Sequence, residues 1–238
     1  MSSAPLRFAE LLPPAIRRLN ALAPLDVPAT EALQSALGRT RRLEARTELT
    51  REGKSTGEPL LITDGWAARV RHLFDGRRQL ISFALTGDLL GRCEFEGSLA
   101  SSTIVALTPM QVCPLPDASL SPTLARAYAV SNALDEAHLM AQVTRIGRLS
   151  AHERLVDLLL EFYERLQTNG QAGEGRFRMP LTQELLADAL GLTSVHLNRT
   201  VQLARRAGEL TWTGREVRLT DPKALARSIG RMPVRVAG

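Results

Sequence analysis

The stretch 181–206, LTQELLADALGLTSVHLNRTVQLARR, has the pattern of two short helices joined by a tight turn. Thr182 can cap the first helix, Gly191 suits the left-handed backbone that often ends a helix, and Thr193 or Ser194 can cap the second. Apolar side chains recur on the inner face of each helix: Leu186, Ala187, Leu190, Leu197, Val201 and Ala204. The stretch therefore predicts a helix-turn-helix.

The residues after this motif predict a β-hairpin, or wing. Leu210 and Trp212 alternate with polar residues, a turn follows at 213–216, and Val217 and Leu219 alternate again. Arg215 falls near the tip of this hairpin. Arg218 falls on its exposed face, and both arginines are candidates for contact with phosphates.

The net charge of the chain is concentrated at this end. The chain has a formal net charge of +5, whereas the part from Arg176 onward carries eleven basic and five acidic side chains, a net +6. The first 175 residues therefore carry −1. A basic module joined to a nearly neutral one indicates a polyanion-binding end and a separate sensing or scaffolding end.

The outward face of the second helix is the candidate DNA-reading surface. Arg199 is the candidate for bidentate hydrogen bonding to guanine, Asn198 for contact with adenine or a phosphate, and Val195 for apolar contact with a thymine methyl group. The complete set of predicted DNA contacts is Gln183, Thr193, Ser194, Val195, Asn198, Arg199, Gln202 and Arg215.

Residues 43–115 contain short apolar runs separated by turn signals about ten residues apart, such as Asp64-Gly65, Asp75-Gly76 and Gly87-Asp88. This spacing favours a β-barrel or sandwich over alternating strands and helices. Residues 1–40 are predicted to be helical or irregular in pieces, with breaks at Pro13-Pro14 and Pro24.

The segment 122–149 predicts one long helix with an apolar seam that joins two copies of the chain. The seam residues recur at steps of three and four: Ala127, Val130, Leu134, Ala137, Ala141 and Thr144. An interruption near Gly147 and Ser150 separates this helix from a second one, expected over 151–167 and followed by a loop over 169–175.

Composition excludes several other classes of protein. No run approaches the roughly 18 apolar residues of a membrane span, and the N-terminus has no continuous apolar leader segment, so we expect a cytoplasmic protein. Cys93 and Cys113 are the two cysteines, which is too few for a disulfide framework or a cysteine-ligated cluster. Haem ligation by His72 or His138, or a redox role for Cys93, stays open, although we expect no cofactor. No catalytic constellation is present, so we expect no enzyme.

Three segments of the chain resemble Crp/Fnr-type bacterial transcription regulators. Residues 181–206 resemble the helix-turn-helix of that family, residues 146–166 the end of its dimerisation helix and the following helix, and residues 62–91 its cyclic-nucleotide-binding-like β-roll. The resemblance implies an α+β fold with a β-roll sensor domain of double-stranded β-helix, or jelly-roll-like, form over 1–121. A dimerisation helix over 122–149 and a winged helix-turn-helix domain over 150–238 would follow.

The resemblance also implies partners. It implies a homodimer on double-stranded DNA, with a near-palindromic operator whose half-sites lie about one helical turn apart, and contact with RNA polymerase. Several relatives place a glutamate at the position of Val195, so the corresponding base pair of the operator should differ or be read loosely. The alternative that we consider is a ligand-responsive regulatory subunit whose winged helix contacts a protein.

The ligand residues of the family are not retained here. Cyclic-nucleotide binders carry a glutamate after the GD-x-x-G segment and an arginine at the start of the next strand, where this chain has Arg92 and Ala100. Loss of the phosphate-binding arginine costs about 1.5–3 kcal/mol, so cAMP binding in the usual mode is not expected. Arg92, Ser101 and Ser102 remain candidates for binding another effector, with an anion suited to Arg92.

Overall fold

A computed structural model describes residues 11–91 and 98–236 of the chain. The first part comprises helices α1 (Pro14–Leu22) and α2 (Val27–Leu37), and strands β1 (Arg41–Leu43), β2 (Glu48–Thr50), β3 (Leu60–Asp64), β4 (Ala67–His72), β5 (Arg78–Ala84), β6 (Leu89–Leu90), β7 (Thr103–Ala106) and β8 (Met110–Pro114). A 3₁₀ turn (Ala118–Leu120) then leads to α3 (Pro122–Arg148), α4 (Ala151–Thr168), β9 (Ala172–Gly173), β10 (Arg176–Arg178), α5 (Gln183–Leu190), α6 (Ser194–Arg206), β11 (Leu210–Thr213), β12 (Glu216–Leu219) and α7 (Pro222–Ser228).

The eight strands of the first half form two antiparallel sheets, ordered β1-β8-β3-β6 and β2-β7-β4-β5. Side chains from both sheets share one buried cluster, with Ile62 and Val112 from the first sheet beside Ala67 and Ile104 from the second. The sheets therefore pack face to face as a β-roll. The strand and turn pattern read from the sequence is confirmed, and so is the α+β fold class.

Helix α3 is 27 residues long, or about 40 Å at 1.5 Å per residue. The Ser121 side chain accepts hydrogen bonds from the amides of Thr123 and Leu124, and Pro122 occupies the first turn, where its missing N–H costs nothing. The helix ends at Arg148 because Leu149 is extended, and Ser150 then starts α4 through a capping box with Glu153.

One residue of the predicted dimer seam is not available to a partner. Ala127 is fully buried in a cluster with Ile16 and Leu19 of α1, so its place in the seam was wrong. The other five seam residues stay accessible, with Val130, Leu134, Ala137 and Ala141 half-buried and Thr144 exposed. The face of α3 that turns towards its own subunit is polar over its last five turns, where Ser131, Gln142 and Arg145 are buried.

The C-terminal half is a winged helix-turn-helix with one addition to the prediction. The predicted loop 169–175 contains the short strand β9, which pairs with β10, so the wing belongs to a four-stranded sheet ordered β11-β12-β10-β9. The interior of α4 agrees with the prediction, since Leu155, Leu158, Leu159 and Phe162 are all fully buried.

An apolar contact joins the two halves at Phe162 of α4. Its ring lies 4.9 Å from the ring of Trp66 and 4.9 Å from that of Phe83, both in edge-on geometry. The same buried cluster continues through α4 to Leu197 and Val217. One hydrophobic core therefore runs from the outer face of the β-roll to the winged helix.

A buried cluster of charges lies beside this apolar contact, with Glu161 of α4 at its centre. Arg145 of α3 donates to Glu161 at 2.6 Å, and Arg165 donates to its other oxygen at 3.0 Å. Burial disfavours the ionised carboxylate, but Arg145, His138 and Arg165 outweigh it and lower the pKa of Glu161 to about 2. Glu161 is therefore a buried anion at physiological pH.

Arg165 extends the cluster to the β-roll. It contacts Asp88 at 2.5 Å, and Arg18 of α1 contacts the other oxygen of Asp88 at 2.7 Å. Gly87 makes this approach possible, since its φ is +94° and a Cβ atom there would lie 2.7 Å from the Arg18 side chain. The turn that the sequence predicted at Gly87-Asp88 is thus also a charged link between α1, the β-roll and α4.

None of the helices in residues 11–91 and 98–236 is long and apolar enough to cross a membrane. The same ranges contain no group of three or more His, Cys, Asp or Glu side chains suited to hold a metal ion. Cys113 is buried, and burial raises the pKa of its thiol. Cys93 lies outside the described residues.

The buried imidazole of His138 makes folding stability depend on pH. Its side chain is 11% exposed beside Glu161, and burial together with Arg165 lowers the pKa of His138 from 6.5 to about 4. Between pH 6.5 and 4 the unfolded chain therefore binds a proton that the folded chain does not. The free energy of unfolding should fall by up to about 3 kcal/mol over this range, as measured by urea denaturation.

His138→Gln should lose this part of the pH dependence, because the variant has no imidazole to protonate. His72→Gln, at the exposed end of β4, is the matched control and should retain the pH dependence of the unmutated chain. Equal slopes for the two variants between pH 6.5 and 4 would show that His138 is not the titrating group.

Candidate nucleic-acid interface

The helix-turn-helix has the caps that the sequence predicted. The Thr182 side chain accepts a hydrogen bond from the Leu185 amide at the start of α5, and the Thr193 side chain accepts one from the His196 amide at the start of α6. Between the helices Gly191 adopts a left-handed conformation, with a φ of +64°. Thr193, and not Ser194, is the cap of α6.

The two faces of α6 differ sharply in burial. Leu197, Val201 and Ala204 are at most 2% exposed and pack in the core shared with α4 and α5. Thr200 is also buried, and its hydroxyl donates to the His196 carbonyl at 2.9 Å. The helix is therefore held firmly on one side, which leaves the opposite side free to meet a ligand.

The predicted contact residues occupy the free side of α6 and its approaches. Val195 is 73% exposed, Asn198 and Arg199 are exposed, and Gln202 is half-buried. Thr193, Ser194 and Arg215 are exposed as well, and Gln183 is half-buried. The amide of Asn198 donates to the side-chain oxygen of Gln183 at 3.1 Å, so these two residues form one polar unit across the two helices.

The surface around α6 is cationic. The exposed arginines of the helix and wing are Arg199, Arg205, Arg206, Arg215 and Arg218, and none of them forms an ion pair within the described residues. The helix itself contains no acidic residue. Exposed guanidinium groups without ion-pair partners are suited to bind phosphates and guanine bases.

The C-terminal end of α5 is held by side chains from outside the helix-turn-helix. Gln79 of β5 donates to the Asp188 carbonyl at 2.9 Å, Gln142 of α3 to the Ala189 carbonyl at 2.6 Å, and Arg154 of α4 to the Leu190 carbonyl at 3.0 Å. These donors satisfy carbonyls that a helix end leaves without partners.

An ion pair strengthens the same contact. Arg78 Nε of β5 lies 2.6 Å from the Asp188 carboxylate. This interface could not be predicted from the sequence, because an arginine and a glutamine at the start of a strand resemble ordinary surface residues in their local context. The DNA-reading helices are thus attached directly to the β-roll and to α3.

A cavity of about 380 Å³ lies between the β-roll and α3. Ser101 and Ser102, two of the predicted effector residues, line it together with Thr50, Arg69, Ala100, Asn132, Asp135, Glu136 and Leu139. Arg92, the third predicted effector residue, lies outside the described residues. Two predicted positions therefore share one cavity beside the long helix.

The described wall of this cavity is acidic. Asp135 and Glu136 oppose one cation, Arg69, which already contacts Asp135 at 3.2 Å. Burial and the nearby charge of Asp88 raise the pKa of Asp135, although the neighbouring arginines oppose this shift. A wall with these groups does not offer an unpaired cation to a phosphate.

Two protein families match the chain in the order that the fold shows. Residues 40–127 match the cyclic nucleotide-binding domain family, and residues 153–228 match the Crp-like helix-turn-helix domain family. The first match covers most of the β-roll and the start of α3. The second covers α4, the helix-turn-helix, the wing and α7.

Curated relatives with both parts are transcription regulators. The chain is 28% identical over 165 residues to the nitrogen fixation regulation protein FixK of Bradyrhizobium diazoefficiens. This alignment covers 68% of this chain and 69% of that protein. It is 24% identical over 213 residues to the transcriptional activator protein FnrA of Stutzerimonas stutzeri. That alignment covers 87% of this chain and 86% of FnrA. Relatives of this kind are regulators and not enzymes.

Solved structures of regulators also superpose on this fold. FixK2 from Bradyrhizobium japonicum superposes with a TM-score of 0.68 at 24% identity, over 79% of this chain and 95% of that one. A transcriptional regulator of the CRP family from Thermus thermophilus superposes with a TM-score of 0.63 at 22% identity, over 80% and 96%. Because both domain families match in order and the relatives named above are regulators, the chain belongs to the Crp/Fnr family of transcription regulators, and its helix-turn-helix is a DNA-binding domain.

Proposed function

We propose that this regulator acts as a homodimer on a near-palindromic operator, with one α6 helix in the major groove of each half-site. The division of α6 into a buried apolar stripe and an exposed polar face whose arginines form no ion pair within the described residues carries the proposal. A two-fold axis between subunits gives half-sites about 34–36 Å apart, or one turn of DNA.

The exposed groups divide into two roles. Arg199, in the N-terminal half of α6, reads a guanine through its forked guanidinium, and Asn198, already joined to Gln183, contacts an adenine or a phosphate. Arg215, at the wing, binds the phosphate backbone and adds affinity that is independent of sequence. Val195 offers only apolar contact, so the operator position beneath it is read through a thymine methyl group or not at all.

Arg199→Ala tests the base-reading role. The variant should lose about 1–3 kcal/mol of binding free energy on the preferred operator and should relax selectivity at one base pair of each half-site. The operator is first obtained by selection from a random duplex pool, and affinity is then measured by fluorescence anisotropy on the selected and a scrambled duplex. Equal losses on both duplexes would refute base reading by Arg199.

Arg215→Ala is the matched control for that experiment, because it removes the same charge from the phosphate-binding wing. It should weaken both duplexes alike and reduce the slope of log affinity against log salt by about two for the dimer, or about one per subunit. A loss confined to the selected operator would assign Arg215 to base reading instead.

We further propose that α3 joins the two subunits. The inward face of α3 is occupied by its own subunit, since Gln142 and Arg145 are bound to α4 and α5 partners. About 90° around the helix axis from Gln142 and Arg145 is an apolar, half-buried set of residues: Val130, Leu134, Ala137 and Ala141. Two such helices can pack along these seams, and the alanines permit a close approach.

Ala141→Glu should convert the dimer to a monomer at micromolar concentration, because it brings two carboxylates together across the two-fold axis. Light scattering coupled to gel filtration measures the mass directly. Val143→Glu makes the same chemical change two residues later on a side chain that is 64% exposed and outside the seam, so that variant should stay dimeric. A monomeric unmutated chain, or two dimeric variants, would contradict this use of α3.

We also propose that cAMP in the usual mode does not gate this protein. The cavity that contains Ser101 and Ser102 has Ala100 in place of the phosphate-binding arginine of the family. Asp135 and Glu136 on the same wall repel a cyclic phosphate, and the Arg69 guanidinium is already paired with Asp135.

Calorimetry that compares cAMP with adenosine tests this point. The described wall of the cavity has no unpaired cation for the phosphate, so cAMP should bind no more tightly than neutral adenosine. The comparison removes whatever affinity the base and ribose have for the cavity. Binding of cAMP at least tenfold tighter than adenosine would mean that the phosphate has a partner in the site after all.

We propose that the chain has three functional units: a β-roll over 1–121, a dimerisation helix over 122–149, and a DNA-binding domain over 150–238. We propose contact with RNA polymerase, supported by membership of a family of transcription activators. DNA and polymerase both reside in the bacterial cytoplasm, where we expect this regulator to act.

A further inference from the structure

A second cavity, of about 520 Å³, lies between the β-roll and the DNA-binding module and is separate from the cavity beside α3. The β-roll wall includes Asp64, Trp66 and Thr86, from the turns at the ends of β3 and β5. The opposite wall includes Gln171, Arg178 and Arg215, from the segment after α4, the end of β10 and the wing. Ligand sites in proteins commonly have volumes of about 300–1,000 Å³ and occur between domains.

Two arginines give this cleft its charge. The backbones that carry Arg178 and Arg215 are adjacent, because the amide of Met179 donates to the Arg215 carbonyl at 2.7 Å, and both arginines line the cleft. Neither guanidinium forms an ion pair within residues 11–91 and 98–236, although Glu216 lies opposite Arg178 in the strand pairing. Asp64 is the one acid on the described wall, so the wall carries a net positive charge.

The rest of the wall combines one polar donor with an apolar side. The side-chain oxygen of Gln171 accepts a hydrogen bond from Asn169 at 3.0 Å, which leaves the NH₂ group of Gln171 available to a ligand. Trp66 and Leu166 border the cleft only with the small part that the core leaves exposed, 6% for Trp66 and 3% for Leu166, and the Trp66 ring is fixed edge-on against Phe162. An apolar edge beside two arginines without ion-pair partners suits a ligand with one charged end and one apolar end.

We propose that this cleft binds a small organic anion, with a carboxylate or phosphate group held by Arg178 and Arg215 and an apolar body packed against Pro109, Pro180 and the exposed edge of Trp66. Guanidinium groups bind both kinds of oxyanion through charge-assisted hydrogen bonds. The site lies on the wing side of the molecule, and no residue of the cavity beside α3 takes part in it.

Occupancy of the cleft has a consequence for DNA binding, and this part rests on the proposed function. An anion bound to Arg215 neutralises the charge that the wing offers to a DNA phosphate. The anion should therefore lower DNA affinity, and by linkage DNA should lower the affinity for the anion.

Trp66 makes ligand binding directly measurable. The chain has two tryptophans, so Trp212→Phe leaves Trp66 as the fluorophore. Benzoate, phenyl phosphate and hexanoate serve as probes, with neutral benzamide as the control for apolar binding alone. At least one anion should change the fluorescence of Trp66 saturably while benzamide does not. In the same background, Arg178→Gln and Arg215→Gln should each weaken binding of that anion by about tenfold or more.

Arg176→Gln is the matched control, because Arg176 is an exposed arginine on the same strand that does not line the cleft. It should bind the probe like the parent chain. The proposal is overturned if all three anions fail to bind, if benzamide binds equally well, or if Arg178→Gln and Arg215→Gln bind like the control. The benzamide comparison needs no arginine variant, so it decides the matter even if one of them folds poorly.

These titrations contain no DNA, so their outcome is independent of the proposed operator binding. A separate titration with random duplex in saturating probe should show weaker DNA binding by the Trp212→Phe chain. If the probe binds and DNA affinity is unchanged, the anion site stands and the competition for Arg215 is rejected.

Discussion

Burial of the Glu161 carboxylate constrains the arrangement of the whole molecule. The carboxylate is matched by Arg145 from the long helix and by Arg165, which in turn reaches Asp88 of the β-roll. Removing one partner from a buried ion pair costs about 3–5 kcal/mol, so arrangements that separate α3, α4 and the β-roll leave charges unpaired at high cost. The rings of Trp66, Phe83 and Phe162 add a directional apolar contact at the same junction. The orientation of α6 relative to the sensor follows from these two sets of contacts.

Local patterns were sufficient to predict most of the fold. The caps of the helix-turn-helix, the left-handed Gly191, the wing hairpin and the long helix each depend on residues close together in sequence. The charge cluster could not be predicted in this way, because Arg18, Asp88 and Arg165 lie far apart in the chain. Each looks like a solvated surface residue until the fold brings them together. The short strand β9 was missed for a related reason, since two residues carry no alternating pattern.

The candidate interface was also predictable in part. An amphipathic stripe fixes which side of a helix is buried, so exposure of Asn198 and Arg199 followed from the spacing of Leu197, Val201 and Ala204. The same reasoning was wrong at Ala127, because a small apolar residue fits a seam between subunits and a contact with α1 equally well. The Asn198–Gln183 hydrogen bond and the cleft beside Arg215 depend on tertiary geometry that no sequence period encodes.

The hydrogen bonds that Gln79, Gln142 and Arg154 donate to the carbonyls at the end of α5 have a consequence for protein engineering. A chimera that grafts a relative's DNA-reading module onto this β-roll would lose the fit between these donors and the backbone carbonyls they serve. An Asp188 equivalent would also have to accompany Arg78, or the graft would leave this arginine without its closest ion-pair partner. The recognition specificity of this regulator is therefore better exchanged by changing single side chains on α6 than by transplanting the module.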